Sequence, residues 1–176
     1  MKQGVVVWFT GLPSAGKSLL ARAVFATLKA REAPVCLLDG DEVRKALDPG
    51  LGYSAAERAS FYETLARLAA LLAAQGLLVL VPATAHRRAF RERARELAPA
   101  YLEVWVDTPL EECVRRDTKG LYQAQASGHA SEVPGGDTEY EPPLAANLVA
   151  HGGMDAEAVT ALLERVAELR SNAPRE

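Results

Sequence analysis

Residues 11–18 read Gly11-Leu12-Pro13-Ser14-Ala15-Gly16-Lys17-Ser18, a complete G-x-x-x-x-G-K-[ST] phosphate-binding loop. The apolar run Val5–Phe9 before the loop predicts a buried strand, and the run Leu19–Arg31 after it, which has no Gly or Pro, predicts a helix. In this frame the glycines let the loop wrap around phosphate oxygens, toward which backbone N–H groups and the helix N-terminus point. Lys17 is expected to bridge the outer phosphates and Ser18 to ligate Mg²⁺. All eight residues are therefore predicted to bind a nucleoside triphosphate.

The composition is that of one globular domain. A chain of 176 residues can build a single core, and its 49% apolar and 24% charged residues are ordinary for a soluble protein. The net charge of −3 argues against sequence-independent binding of nucleic acid. With no signal-peptide pattern and no run of about 18 apolar residues, we expect a cytoplasmic protein with no membrane partner. Cys36 and Cys113 are expected to be free thiols, with a disulfide as the alternative.

Short apolar runs alternate with helical ones along the chain. Continuous apolar strands separated by helices predict an α/β fold whose parallel sheet is covered on both faces. No linker divides the sequence, so residues 1–176 are expected to form one domain. The predicted strands are Val5–Thr10, Pro34–Leu38, Leu77–Val81, Tyr101–Val106 and Asn147–Ala150.

Helix starts are predicted from capping residues. Ser54-Ala55-Ala56-Glu57 and Thr108-Pro109-Leu110-Glu111 both have the spacing of a capping box. Asp155 is expected to cap a last helix at about residues 155–170. The segment from residue 127 to 143, SGHASEVPGGDTEYEPP, has no periodicity. Such a long irregular segment near the nucleotide site predicts a lid, with disorder as the alternative.

Two carboxylates follow the second predicted strand, in Asp39-Gly40-Asp41. Ligands of a doubly wound sheet bind outside the carboxyl ends of its strands, so these residues are expected near the phosphate-binding loop. Phosphoryl transfer needs a carboxylate that orients the acceptor oxygen or accepts its proton, and Asp41 is our candidate. Asp39 is expected to reach Mg²⁺ through water. The alternative is that Asp41 merely caps the following helix.

Basic residues suggest where an anionic acceptor would bind. Arg44 lies one helical turn after Asp41. Arg58 follows Tyr53 at the start of the next predicted helix. Two guanidinium groups and an aromatic ring fit a flat anion, although surface ion pairs are the alternative for each arginine. The positively charged run Arg115–Gly120 is a candidate to bind the base and phosphates of a nucleotide. A helix that contains Arg87, Arg88, Arg91, Arg93 and Arg95 is expected to be mostly solvated, with Arg88 able to face a site.

The ordered set GLPSAGKS, LDGDEVR, LGYSAAER, VDTPLEECVRRDTKGLY and GDTEYEPP resembles the adenylylsulfate kinases. The resemblance implies a three-layer α/β/α phosphate-loop kinase with a five-stranded parallel sheet, a lid and commonly a homodimer. It implies ATP- and Mg²⁺-dependent phosphorylation of the 3′-hydroxyl of adenosine 5′-phosphosulfate (APS). By the same resemblance, Arg116 and Lys119 would bind nucleotide. The implied acceptor-binding residues are Asp41, Arg44, Tyr53, Arg58, Thr84 and Lys119.

The sequence departs from this family at several acceptor positions. Phe61 replaces an asparagine, Ala85 replaces a serine that some members phosphorylate, and Val133 replaces a lid aromatic. The resemblance therefore leaves three interpretations. The chain is a divergent APS kinase, a related kinase for another hydroxyl acceptor such as cytidine diphosphoramidate, or a non-catalytic nucleotide-binding module.

Overall fold

The computed structural model describes residues 3–48, 50, 52–130 and 132–171, so Ser131 of the predicted lid lies outside the described residues. Its centre is a five-stranded sheet in the order β2-β3-β1-β4-β5, in which every neighbouring pair is parallel. The predicted α/β class and the strand count are confirmed. The strands are β1 (Val5–Thr10), β2 (Val35–Leu37), β3 (Leu78–Pro82), β4 (Tyr101–Val106) and β5 (Leu148–Ala150).

Helices cover both faces of the sheet and make the three layers. Helices α1 and α7 contact each other and the sheet, while α3 and α4 pack together on the opposite face. No helix in the described part of the chain is long and apolar enough to cross a bilayer. The helices are α1 (Lys17–Ala30), α2 (Gly40–Leu47), α3 (Ala55–Ala74), α4 (Arg88–Leu97), α5 (Leu110–Arg116), α6 (Leu121–Ala126) and α7 (Ala156–Ser171).

Strand β1 shows why its sequence is apolar without alternation. Val5, Val7 and Phe9 pack into the core beneath α1 and α7. The intervening Val6 and Trp8 pack into a second core beneath α3 and α4. Because successive side chains of a strand point to opposite faces, a sheet covered on both sides needs apolar residues at every position.

The helix starts agree with the predictions at two of three places. Ser54 and Glu57 form the predicted capping box of α3. Asp155 accepts hydrogen bonds from the backbone of Ala158 and His151 at the start of α7. The box at Thr108 is wrong, because Pro109 takes the N-cap position of α5 without a side-chain cap. The Thr108 hydroxyl instead donates to the Ala15 carbonyl, 2.8 Å away. The structure also confirms two free thiols, at Cys36 and Cys113.

Candidate active site

Three loops meet at the carboxyl edge of the sheet. Strand β1 leads into the phosphate-binding loop, β2 leads to Asp39 and α2, and β3 leads into residues 83–86 ahead of α4. Since β1 lies between β3 and β4, the loops after β1 and β3 are neighbours. Ligands of open parallel sheets bind at this edge, in the crevice where the strand order reverses.

The start of α1 is open to an anion. Gly16 takes the N-cap position with φ +104°, no side chain caps the helix, and its first turn contains no acidic residue. The first backbone N–H groups of a helix have no partner inside the helix and carry its positive dipole end. The uncapped N–H groups at this helix start suit phosphate oxygens.

Neighbouring segments hold the phosphate-binding loop from two sides. A Cβ on Gly16 would stand 2.6 Å from the Gly153 nitrogen, so the turn after β5 packs directly on the loop. The Tyr122 hydroxyl donates to the Pro13 carbonyl at 3.3 Å, and Thr108 binds the Ala15 carbonyl. The sequence analysis missed these supports because each is a contact between distant segments.

Lys17 lies across its own loop. Its Nζ donates to the carbonyl oxygens of Leu12 and Gly11, at 2.7 and 3.1 Å. Burial, together with the positive charge of Lys119, lowers the pKa of Lys17 to about 7. The ammonium group is thus held close to where outer phosphates would lie, in surroundings that gain from an added negative charge.

The two carboxylates after β2 have different roles in the structure. Asp39, which is buried, caps α2 by accepting from the Asp41 backbone N–H at 3.1 Å. The alternative that Asp41 is the cap is therefore wrong, since the helix begins at Gly40 and places Asp41 in its first turn. Asp41 is about half exposed and pairs with Lys119. The structure thus brings Asp41 and Lys119 into contact, and the charges of both residues act on Lys17. The position of Asp41 near the phosphate-binding loop agrees with the sequence-based expectation.

The oxygen atoms near the phosphate-binding loop suit a magnesium ion carried by the nucleotide. Ser18 offers a hydroxyl group, and one Asp39 oxygen is left over from its capping bond. In the described residues no cluster of three or more His, Cys, Asp or Glu could hold a metal by itself. Mg²⁺ fits such a site, since it prefers oxygen ligands and takes most of them from water and substrate phosphates.

Arg44 and Arg58 lie on one aromatic cluster beside Asp41. The Arg44 guanidinium lies 4.0 Å from the Phe61 ring centre and 4.6 Å from that of Tyr53. Arg58 donates through Nε to the Tyr53 carbonyl at 2.6 Å. Both arginines are at least nine-tenths buried, so the alternative of surface ion pairs is wrong for them. Two buried guanidinium groups that form no ion pair within the described residues suit an anionic ligand.

The departures from the family have visible consequences. Phe61 supports Arg44 through its ring instead of presenting an amide. Val133 is buried in the core beneath α1 and α7, and the preceding Glu132 carbonyl accepts from Arg58. The predicted lid therefore contacts Arg58 through its backbone.

Two further predicted site residues, Arg116 and Thr84, have other contacts in the structure. Arg116 pairs with Glu112 on its own helix. Thr84 is partly buried, and its carbonyl accepts from the Thr10 hydroxyl at 2.7 Å. Their proposed contacts with ligands stay predictions.

The basic helix α4 contains one exception to its predicted solvation. Arg91 is only 1% exposed and pairs with Glu103 at 2.7 Å. Arg88 lies at the helix start, where its backbone N–H donates to the Glu141 carboxylate at 2.7 Å. Nothing in the sequence separates Arg91 from the other arginines of the helix, because its partners lie on β4 and in two loops.

His86 is a second buried group that sequence reasoning missed. Its ring is 5.6 Å from that of Phe90, and no partner binds its Nδ1 among the described residues. Burial lowers the pKa of His86 to about 4, and Arg58 contributes to the shift. The ring is therefore neutral at physiological pH.

The chain resembles known proteins over most of its length. The model of the adenylylsulphate kinase family matches residues 3–151. An adenylyl-sulfate kinase of Synechococcus sp. (strain JA-2-3B'a(2-13)) is 44% identical over 142 residues, 81% of each protein. An adenylyl-sulfate kinase of Yersinia pestis is 38% identical over 169 residues, 95% of this chain and 78% of that protein.

Solved structures agree. The Mycobacterium tuberculosis APS kinase CysC, in complex with AMPPNP and APS, matches with a TM-score of 0.84 and 35% identity, over 98% of this chain and 100% of that one. A gluconokinase from Sinorhizobium meliloti 1021 shares only the fold, with a TM-score of 0.60 and 20% identity over 98% of this chain and 97% of that one.

Proposed function

The chain belongs to the adenylylsulphate kinase family, and we propose that it transfers the γ-phosphoryl group of ATP to the 3′-hydroxyl of APS. The observation that carries this proposal is the meeting of Lys17, Asp41 and Lys119 between the open start of α1 and the buried acceptor arginines. A phosphate donor and a hydroxyl acceptor could be held there on opposite sides of one carboxylate.

The nucleotide side would work by positioning and charge. The backbone N–H groups at the start of α1 would bind phosphate oxygens, and Lys17 would leave its own loop carbonyls to contact the outer phosphates. Ser18 and Asp39, the latter through water, would hold Mg²⁺, which when bound offsets negative charge on the phosphates. Arg116 would contact the nucleotide after release from Glu112.

Asp41 would handle the proton of the acceptor. The acceptor oxygen forms a bond to the γ-phosphorus while the bond from that phosphorus to the leaving oxygen of ADP breaks. The hydroxyl proton passes to the Asp41 carboxylate, which must first exchange its contact with Lys119 for one with the acceptor. Lys119 is then available to the anionic substrates. Because Ala85 has no hydroxyl, no phosphoserine can form at that position and transfer would be direct.

The acceptor would lie on the aromatic and arginine cluster. Tyr53 is half exposed and offers a ring for stacking, while Arg44 and Arg58 offer guanidinium groups to the phosphosulfate. Thr84 lies in the loop that borders this space. The homodimer and the cytoplasmic location implied by the resemblance stay predictions.

An acceptor panel tests this function. ADP release is measured with APS, cytidine diphosphoramidate, gluconate and no acceptor, and the APS product is identified by mass spectrometry. We expect efficient turnover with APS and a product phosphorylated on the 3′-hydroxyl. Efficient turnover with another compound and none with APS would contradict the proposed acceptor, while ATP binding without transfer to any compound would favour the non-catalytic module.

The Arg58→Ala variant refines the test. It is expected to raise the KM for APS by about tenfold or more with little change in the KM for ATP, since a charge-assisted contact is lost on one side only. The surface variant Arg67→Ala, on the same helix and paired only with Glu63, serves as the control. Equal increases in both KM values would place Arg58 outside the acceptor pocket.

A further inference from the structure

The loop of residues 83–86, here called the acceptor wall, borders the acceptor arginines. A Cβ on Gly40 would lie 3.1 Å from the Ala83 side chain, so the wall packs on the first turn of α2, which also carries Asp41. His86 lies near enough to Arg58 for that charge to lower the pKa of the imidazole. The position of this wall therefore affects the space in which an acceptor would bind.

Side chains from two elements fix the backbone of the acceptor wall. Trp8 and Thr10 belong to β1, and Tyr62 belongs to α3. The contacts are Trp8 Nε1 donating to the Ala83 carbonyl at 3.1 Å, the Thr10 hydroxyl donating to the Thr84 carbonyl at 2.7 Å, and the Ala85 N–H donating to the Tyr62 hydroxyl at 3.0 Å.

Ala85 holds an unusual backbone conformation within this wall. Its φ is +41°, in the left-handed region that residues with a Cβ rarely adopt. Tyr62 accepts from its N–H, and Arg91 Nη1 donates to its carbonyl at 2.6 Å. The two contacts hold Ala85 from both sides, which is what such a strained conformation requires to persist.

Arg91 also holds the downstream end of the predicted lid. Its Nη2 donates to the Glu141 carbonyl at 2.6 Å, and its guanidinium lies 5.8 Å from the Tyr140 ring centre. The Glu141 N–H in turn donates to the His86 carbonyl at 2.8 Å. One guanidinium thus joins the acceptor wall to the downstream end of the predicted lid.

The charge of Arg91 is balanced away from the site. Nε donates to Glu103 on β4 at 2.7 Å, and both side chains are almost fully buried. Because Glu103 uses the Nε edge, the two Nη groups remain for the Ala85 and Glu141 carbonyls. The planar, five-donor guanidinium can bind in three directions, which an ammonium group cannot reproduce in the same geometry.

On the basis of the proposed function, we infer that Arg91 is a positioning residue for the acceptor. It fixes the position of the acceptor wall relative to the downstream end of the lid. Its effect on the acceptor passes through its contacts with Ala85 and Glu141. It makes no contact with the phosphate-binding loop in the described structure, so its effect should fall on the acceptor and not on ATP.

The test uses Arg91→Lys, which keeps a cation beside Glu103 and removes the two Nη groups that donate to the Ala85 and Glu141 carbonyls. We expect the KM for the acceptor to rise about tenfold or more while the KM for ATP stays within about twofold, because misplacement of a binding wall weakens only its own ligand. Tyr62→Phe, which removes the acceptor of the Ala85 N–H, should give the same split. Arg93→Lys changes an exposed arginine of the same helix and should change neither KM.

Hydrogen exchange supplies a readout that needs no acceptor. In Arg91→Lys, the backbone amides of residues 83–86 and 139–141 are expected to exchange faster together, while those of residues 11–18 are unchanged. Equal KM effects on both substrates, or exchange that rises across the whole chain, would overturn the inference. If the wild-type protein fails to phosphorylate APS, the proposed function fails, and the exchange pattern still decides whether Arg91 joins the two segments.

Discussion

At the scale of single residues, the cations of the site are held by internal partners. Lys17 binds the carbonyls of Gly11 and Leu12, Lys119 pairs with Asp41, and Arg58 binds the Tyr53 and Glu132 carbonyls. Each of these partners is replaceable by an oxygen of an anionic substrate. Substrate binding should therefore replace one contact of each side chain with another. This costs less conformational entropy than immobilising side chains that were free to move.

Lys17 gives a prediction about pH. Its pKa of about 7 in the free protein means that the side chain is largely neutral at pH 8, whereas a bound triphosphate favours the charged form. ATP binding at pH 8 should take up about one proton, and affinity should fall as pH rises above 7. Calorimetry in two buffers of different ionisation enthalpy measures this uptake.

Lys17→Arg is the matched control for proton uptake. Arginine stays charged throughout the range, so the variant should bind ATP with little or no uptake beyond that of the nucleotide itself. Equal proton exchange in the two proteins would show that Lys17 is already charged before binding.

At the scale of elements, the start of α2 combines a structural role with a chemical one. Asp39 lies between β2 and α2 and caps the helix. Asp41 follows in the first turn, where it pairs with Lys119. A carboxylate is not needed for the cap, since asparagine caps helices equally well. A carboxylate is needed if Asp39 reaches a metal ion through water.

Asp39→Asn separates these roles. The variant should keep the melting temperature within a few degrees, because the capping bond to the Asp41 N–H remains available. Its turnover should fall by about tenfold or more, with a higher requirement for Mg²⁺. Asp39→Ala should lose both stability and turnover. Full activity in Asp39→Asn at low Mg²⁺ would contradict a metal-linked role.

Some elements could be predicted from the sequence and others could not. The bounds of β1 and β4 are exact, because continuous apolar runs identify strands covered on both faces. The nucleotide side was also predictable, since its motif is contiguous. The acceptor wall was not, because its geometry depends on Trp8, Tyr62 and Arg91, which are distant in sequence and have no motif of their own. Capping at Asp39 was missed because either aspartate could start the helix.

At the scale of the whole molecule, the site adds buried charge and polar groups to a core that must remain stable. Arg91 and Glu103 neutralise each other within the α4–β4 layer. His86 is different, because it is buried beside Arg58 and its Nδ1 has no hydrogen-bond partner in the part of the chain that the structure describes. A buried neutral histidine makes stability depend on pH.

The sign of that dependence follows from the two pKa values. The folded pKa of about 4 lies below the ordinary 6.5, so between these limits the unfolded chain binds a proton that the folded chain does not. The stability that depends on neutral His86 is complete above pH 6.5 and is lost as pH falls toward 4. Relative to a His86→Leu variant, the wild type should lose up to about 1.4 kcal/mol per pH unit in this range.

Denaturant unfolding of both proteins at pH 7 and pH 5 measures the difference. The other two histidines, His129 and His151, are common to both proteins and cancel in the comparison. A difference in unfolding free energy that is the same at both pH values would show that His86 titrates alike in the folded and unfolded chains.

Transfer by the proposed route requires that Asp41 faces the phosphate-binding loop and accepts the proton of the acceptor hydroxyl. A crystal structure with AMPPNP, Mg²⁺ and APS tests it most directly, through the distance from the Asp41 carboxylate to the 3′-hydroxyl. We predict about 3 Å, with the hydroxyl in line with the γ-phosphate and Lys119 released from Asp41. A 3′-hydroxyl beyond hydrogen-bond reach of Asp41, or one bound away from the γ-phosphate, would contradict the account.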